Sequence, residues 1–276
     1  MATTAVDGQV RIERAFARAR AEARMAIVVY VTVGYPDRAA TPGLLRAALD
    51  GGADVIELGV PFSDPLADGT TVQRASQTAL RAGVRLADCI AEGAGLVADR
   101  DTPVLLMGYT NPFMQRGYTR LASELAAAGI CGVIVPDMPA EESGELDAAF
   151  APHGLVRIDL YAPTTPDERL AALLPAARGF VYCVSLTGVT GARAALGADV
   201  AGFVRRVRAH TALPVAVGFG ISTPDHVRAL RGVSDGVVIG SAVLDTISTA
   251  PSGRRPEALR DFVRALREAG TKAARS

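Results

Sequence analysis

The stretch DVIELGVPFSDPLADGTTVQRAS, residues 54–76, places one ionisable group, Glu57, among Val55, Ile56, Leu58 and Val60. Strand alternation puts Val55, Glu57 and Gly59 on one face and Ile56, Leu58 and Val60 on the other. A carboxyl turned into a dry interior loses hydration, which raises its pKa and suits it to acid–base work near neutral pH. By residue type alone, Glu57 could equally be a structural carboxyl bonded to a backbone or tyrosine donor. Asp64 and Asp68 follow in a loop of Pro, Ser and Gly. SDP is ordinary turn chemistry and Asp64 reads as a turn former, whereas the local pattern leaves Asp68 open. Two further stretches could receive an anion: GFGIS (218–222), just before a helix opening at TPDH, and GS (240–241). Small residues there let backbone N–H groups approach a phosphate, and a helix N-terminus adds its positive end. No Arg or Lys falls in 214–222 or 236–244.

Absences narrow the chemistry. The only lysine is Lys272. A Schiff-base aldolase or a pyridoxal-phosphate enzyme needs a buried lysine, and a Walker loop needs GK[ST]; all three are excluded. His153, His210 and His226 share no metal-ligand spacing, so no metal site is expected, and the last two read as surface residues of helical stretches. Cys89, Cys131 and Cys183 are far apart and odd in number, which suggests a reducing compartment rather than disulfides or zinc. Acids and bases cancel, 29 against 29, which gives no field for nucleic acid or an anionic membrane. No apolar run approaches the roughly 18–20 residues of a membrane span. The first residues lack an apolar signal core, and Asp7, Glu13 and Glu22 argue against a transit peptide. A cytoplasmic protein is expected.

The elements that must position these residues are short β-branched runs bounded by Gly, Pro and Asp, at 27–33, 54–60, 103–109, 132–137, 155–162, 179–185, 214–220 and 236–241. Most are apolar throughout, as strands covered on both faces should be. Helical stripes lie between them, and Pro42, Pro166 and Pro224 each stand at a helix start. Eight β-α units predict an α/β protein with a (β/α)8 TIM barrel in a single domain over 1–276. An extra N-terminal helix is expected over 9–24, with 1–8 flexible. An open doubly wound sheet is the alternative, but no G-x-G-x-x-G follows the first run. Barrel sites form at the C-terminal strand ends, which here carry Tyr30, Thr32, Glu57, Tyr109, Asn111, Asp137, Tyr161, Tyr182, Ser185, GFG and GS. The long segment SLTGVTGARAALGADV after the sixth run reads as a mobile lid.

ELGVPFSDPLADG, LMGYTNP, VPDMPAEES, TGVTG, GFGIS and IGSAV, in that order, closely resemble the tryptophan synthase alpha subunit family from about residue 10 to 270. The resemblance implies retro-aldol cleavage of indole-3-glycerol phosphate to indole and glyceraldehyde 3-phosphate, in tryptophan biosynthesis. It places the catalytic carboxyls at Glu57 and Asp68, which lifts Asp68 out of turn chemistry. It puts the indole pocket at Tyr30, Tyr109 and Tyr182, and a lid threonine at Thr190. Phosphate contacts fall on Gly191, Gly220, Gly240 and Ser241, with Gly218 and Phe219 in the same glycine-rich turn. Two departures stand out: Tyr30 where many relatives carry Phe, and Leu186 where a basic residue precedes TGVTG. The resemblance further implies no cofactor in this chain, and an alpha2beta2 assembly with a beta subunit that carries pyridoxal phosphate. The loops at 61–69 and Asn111–Pro112 would lie near that partner. A lyase working alone, and a non-catalytic subunit that only activates a partner, are the competing readings.

Overall fold

The computed structural model of the chain describes residues 7–185, 196–218 and 220–271. Nine parallel strands form one sheet: β1 (Ala26–Thr32), β2 (Val55–Gly59), β3 (Val104–Met107), β4 (Gly132–Ile134), β5 (Val156–Ile158), β6 (Leu160–Tyr161), β7 (Val181–Val184), β8 (Val215–Gly218) and β9 (Gly236–Ile239). The order is β5-β4-β3-β2-β1-β9-β8-β7-β6. The expected run at 155–162 is split at Asp159. Its first half pairs with β4 and its second half with β7, while the Asp159 carbonyl accepts the Tyr182 N–H at 3.0 Å. One bent run thus hands the sheet from one neighbour to the next and closes the barrel.

The strands sort their side chains as alternation requires. Val28, Val55, Leu105, Ile134, Val156, Ile158, Ala216 and Val238 form an inner cluster. Ile27, Val29, Ile56, Leu58, Leu106 and Val237 join the outer cluster beneath the helices. The extra N-terminal helix is present as Gly8–Ala21, with Asp7 accepting the Gln9 N–H as its cap. Its Ile12, Ala15, Phe16 and Ala19 pack into the inner cluster and plug the N-terminal mouth of the barrel. The opposite mouth is left for chemistry. The segment expected as a lid ends in helix: Leu196–Arg208 begins inside it. No helix among the described residues is long and apolar enough to cross a membrane.

Candidate active site

A cavity of about 250 Å³ opens at the C-terminal end of the strands. Its wall is built by Tyr30 from β1, Glu57 from β2, Met107 from β3, Tyr182 from β7 and Val238 from β9. Its rim adds Asp68, Gly69 and Val72 on one side, and Gly220–Ser222, Gly240–Ala242 and Asp245 on the other.

Glu57 pairs in register with Tyr30 and Leu105, and its side chain is fully buried. Neither carboxyl oxygen has a hydrogen-bond partner among the described residues. Burial alone pushes its pKa up to about 8. A buried polar group without a partner carries its full desolvation penalty, and such groups concentrate at functional sites.

Asp68 is half-buried, and its carboxyl is pushed to about 6. Burial raises it, while the Tyr109 hydroxyl bearing on it pulls the other way. Several bonds fix the loop that carries it. The Tyr109 hydroxyl accepts the Ala67 N–H at 3.0 Å, and the Asp68 carbonyl accepts from Gln73 Nε2 at 2.9 Å. Phe62 stacks on the Tyr109 ring at 5.2 Å. Asp64 faces solvent, where its carboxylate accepts the Ser63 hydroxyl and its carbonyl the Leu66 N–H; it is a turn residue.

Two tyrosines close the wall, and both need a glycine on the next strand. A Cβ on Gly59 would stand 2.2 Å from the Tyr30 hydroxyl, and one on Gly218 would stand 2.4 Å from that of Tyr182. Only glycine lets the rings lie across their neighbours. Burial, with Asp68 beside Tyr30 and Glu57 beside Tyr182, pushes both phenols well up, so they stay protonated.

The far rim is made of backbone. Gly220 sits at φ +79, in the left-handed region that glycine enters freely. Ser241 opens the helix Ser241–Thr249, with Gly240 as its cap residue. Among the described residues no Arg or Lys lines the cavity. Asp245, one turn into that helix, is turned toward the helix Thr70–Arg81, where it accepts from Thr71 Oγ1 at 3.3 Å and faces Arg74 at 3.5 Å.

Of the residues singled out from sequence, Glu57, Asp68, Tyr30, Tyr182, Gly220, Gly240 and Ser241 meet in this cavity. Tyr109 and Gly218 are off its wall: Tyr109 braces the Asp68 loop, and Gly218 makes room for the Tyr182 ring. Thr190, Gly191 and Phe219 lie outside the described residues. Sequence reasoning missed Met107, Asp245 and His226. Met107 follows Leu105 at the inward period of two, a signal that was available. His226 is half-buried rather than a plain surface residue, with its ring turned onto the 220–222 turn. Among the described residues no three His, Cys, Asp or Glu gather as metal ligands would.

Two carboxyls with separated pKa values at one end of a (β/α)8 cavity, and a backbone cradle at the other, define an acid–base enzyme of the barrel class. The chain belongs to the tryptophan synthase alpha chain family, whose model matches residues 16–272. It is 51% identical to the tryptophan synthase alpha chain of Roseiflexus castenholzii over 93% of this chain and 99% of that one. It is 47% identical to that of Chloroflexus aurantiacus, over 93% and 97% respectively. Its fold matches a chain of Mycobacterium tuberculosis tryptophan synthase with a TM-score of 0.87 at 37% identity, covering 95% and 99% of the two chains. It matches the Legionella pneumophila alpha chain with a TM-score of 0.85 at 32% identity, covering 94% and 96%. As a member of that family it is a lyase that cleaves indole-3-glycerol phosphate in tryptophan biosynthesis.

Proposed function

We propose that Glu57 and Asp68 divide the work of that cleavage. The observation that carries this is the unpartnered, fully buried Glu57 carboxyl sharing one cavity with Asp68. With its pKa near 8, Glu57 enters the reaction protonated at neutral pH. It delivers its proton to C3 of the indole ring. As a carboxylate it then accepts the proton of the C3′ hydroxyl. The C3–C3′ electron pair returns to the ring, and C3′ becomes the aldehyde carbon of glyceraldehyde 3-phosphate. Asp68, near 6, is ionised at the same pH; it accepts the indole N–H and offsets the positive charge that forms as C3 is protonated. Tyr30 and Tyr182 flank the ring. Backbone N–H groups at 220–222 and 240–241, together with a helix N-terminus, hold the phosphate. Anchoring that remote group lets binding energy support the chemistry.

The bond cleavage is driven by proton transfers between carboxyl and substrate, so this chain works without a cofactor; pyridoxal phosphate belongs to a beta subunit in an alpha2beta2 complex. The partner docks on the rim outside Asp68, where Leu66 is 94% and Met114 53% exposed. Nine strands in one sheet support a single working domain. Three buried, unbridged cysteines support a cytoplasmic site of action.

Incubating the purified chain with indole-3-glycerol phosphate should release indole, and Asp68→Asn should lose about 100-fold or more while keeping its fold by circular dichroism. Undiminished release by Asp68→Asn overturns the assignment. Adding a beta subunit should raise turnover and sediment with the chain, and Leu66→Asp should prevent both.

A further inference from the structure

We propose that His226 is a positioning residue for the phosphate end of the cavity: its imidazole orients the 220–222 turn so that backbone N–H groups face the anion. This rests on the reading of that turn as a phosphate cradle.

Among the described residues no Arg or Lys lines this cavity, so the turn's hold on an anion depends on where its peptide groups point. His226 Nδ1 lies 3.1 Å from the Gly220 carbonyl oxygen. A carbonyl only accepts, so the tautomer with its hydrogen on Nδ1 donates this bond. In a planar trans peptide the C=O of one residue and the N–H of the next point in opposite directions. Tying the Gly220 oxygen to the histidine therefore turns the Ile221 N–H the other way. Gly220, Ile221 and Ser222 form the cavity rim on that side.

The same nitrogen makes a second contact. The Ser222 N–H also approaches Nδ1, at 3.3 Å, and the Ser222 hydroxyl lies at 3.5 Å. The Ser222 N–H points at Nδ1, and in the tautomer that leaves this nitrogen bare the ring accepts it. Either bond ties the 220–222 turn to the ring.

The ring is itself held in place. His226 lies in the first turn of the helix Pro224–Ala229, where its own N–H is capped by Thr223 Oγ1 at 3.3 Å. The next residue, Val227, is fully buried in the outer core and anchors the turn from which the imidazole projects.

The test uses the full chain and two replacements. Asn presents an amide N–H close to where Nδ1 stands, while Leu fills the space without a donor. Binding of inorganic phosphate and of glyceraldehyde 3-phosphate is measured by calorimetry, beside steady-state cleavage of indole-3-glycerol phosphate. His226→Leu should weaken both ligands and raise KM about five- to tenfold, in the range of one lost hydrogen bond, with kcat changed less than about twofold. His226→Asn should stay within about threefold of the parent. The proposal is overturned if the Leu variant binds phosphate normally, if Asn and Leu are equally impaired, or if kcat falls with KM unchanged. Ser241→Asp, which puts a negative charge on the cradle, separates the two levels. If it too leaves phosphate binding intact, the cradle itself is misplaced. If it abolishes binding while His226→Leu does not, only the role of the histidine fails.

Discussion

Two buried carboxyls three residues apart, Asp54 just before β2 and Glu57 midway along it, have opposite surroundings. Asp54, at the closed mouth, meets the Arg24 guanidinium with both oxygens, at 2.6 and 2.8 Å, and takes the Ile27 N–H at 2.9 Å. Glu57, at the open mouth, has no partner for either oxygen among the described residues. Arg24 and Asp54 side chains are each 3% exposed, so both carboxyls are removed from water. The difference is satisfaction. A paired carboxyl holds the strand ends together, and its charge is spent on that. An unpaired one keeps its proton affinity for a substrate, at a cost in stability that the rest of the barrel absorbs. The N-terminal mouth, plugged by helix Gly8–Ala21, holds the paired carboxyl; the C-terminal mouth holds the unpaired one.

The comparison breaks most sharply under isosteric amides. Glu57→Gln should reduce indole release by about 10²–10⁴-fold, the usual worth of a general acid–base. It should not unfold the protein, because the parent carboxyl is already neutral at pH 7. The sign of its pH dependence follows from a folded pKa near 8, above the unfolded value of about 4.3. Between those values the native state binds more protons, so the parent loses stability as pH rises through that window. The Gln variant has no such loss, and its advantage in urea unfolding should widen from pH 5 to pH 8 and then level off. An advantage that does not change with pH would mean that Glu57 is solvated or paired. Asp54→Asn should do the reverse. It leaves the buried Arg24 with Glu22, 42% exposed, as its one remaining carboxylate partner among the described residues and should cost up to about 3–5 kcal/mol in the same unfolding assay, while the folded fraction turns over at the parental rate. A stable Asp54→Asn variant with poor activity would erase the division between the two mouths.

The same contrast governs what sequence could reveal. Glu57 stood out because a charged residue inside an apolar run is rare whatever its partner. The eight runs were legible because strands covered on both faces are apolar throughout. The break at Asp159 was not, because it depends on which neighbour each half of one run pairs with, and pairing is long-range. Tyr109 was placed at the cavity by its strand-end position, but the ring turns under the Asp68 loop, which follows from the loop backbone rather than from alternation. His226 looked like a surface residue of a helix start; its bond to Gly220 joins positions six apart through a turn that only the folded chain defines. The anion cradle was legible as small residues without cations, yet Asp245 beside it was not, since its pairing with Thr71 and Arg74 crosses from one helix to another.

Smaller changes sharpen the open mouth itself. Gly59→Ala would drive a methyl within 2.2 Å of the Tyr30 hydroxyl and displace the ring, whereas at Gly240 the nearest Tyr30 atom is 3.5 Å away, an ordinary contact. Gly59→Ala should therefore cost about 1–3 kcal/mol by overpacking and raise KM, and Gly240→Ala should leave stability close to parental in the same thermal melts. Equal effects would mean that the Tyr30 ring is free to move aside.

The smallest expected effect concerns Tyr109. Its hydroxyl bears on Asp68 and holds that carboxyl below where burial alone would put it. Asp68 must be ionised to receive the indole N–H, so the acid limb of kcat/KM should fall near pH 6. Tyr109→Phe removes the hydroxyl, lets the Asp68 pKa rise and moves that limb to higher pH, while the rate well above the limb stays within about threefold of the parent. The Ala67 N–H loses its acceptor in the same variant. If that bond merely props the loop, the whole profile drops without shifting. A displaced limb with an intact plateau assigns the hydroxyl to the proton affinity of Asp68; a lowered plateau with an unmoved limb assigns it to the loop.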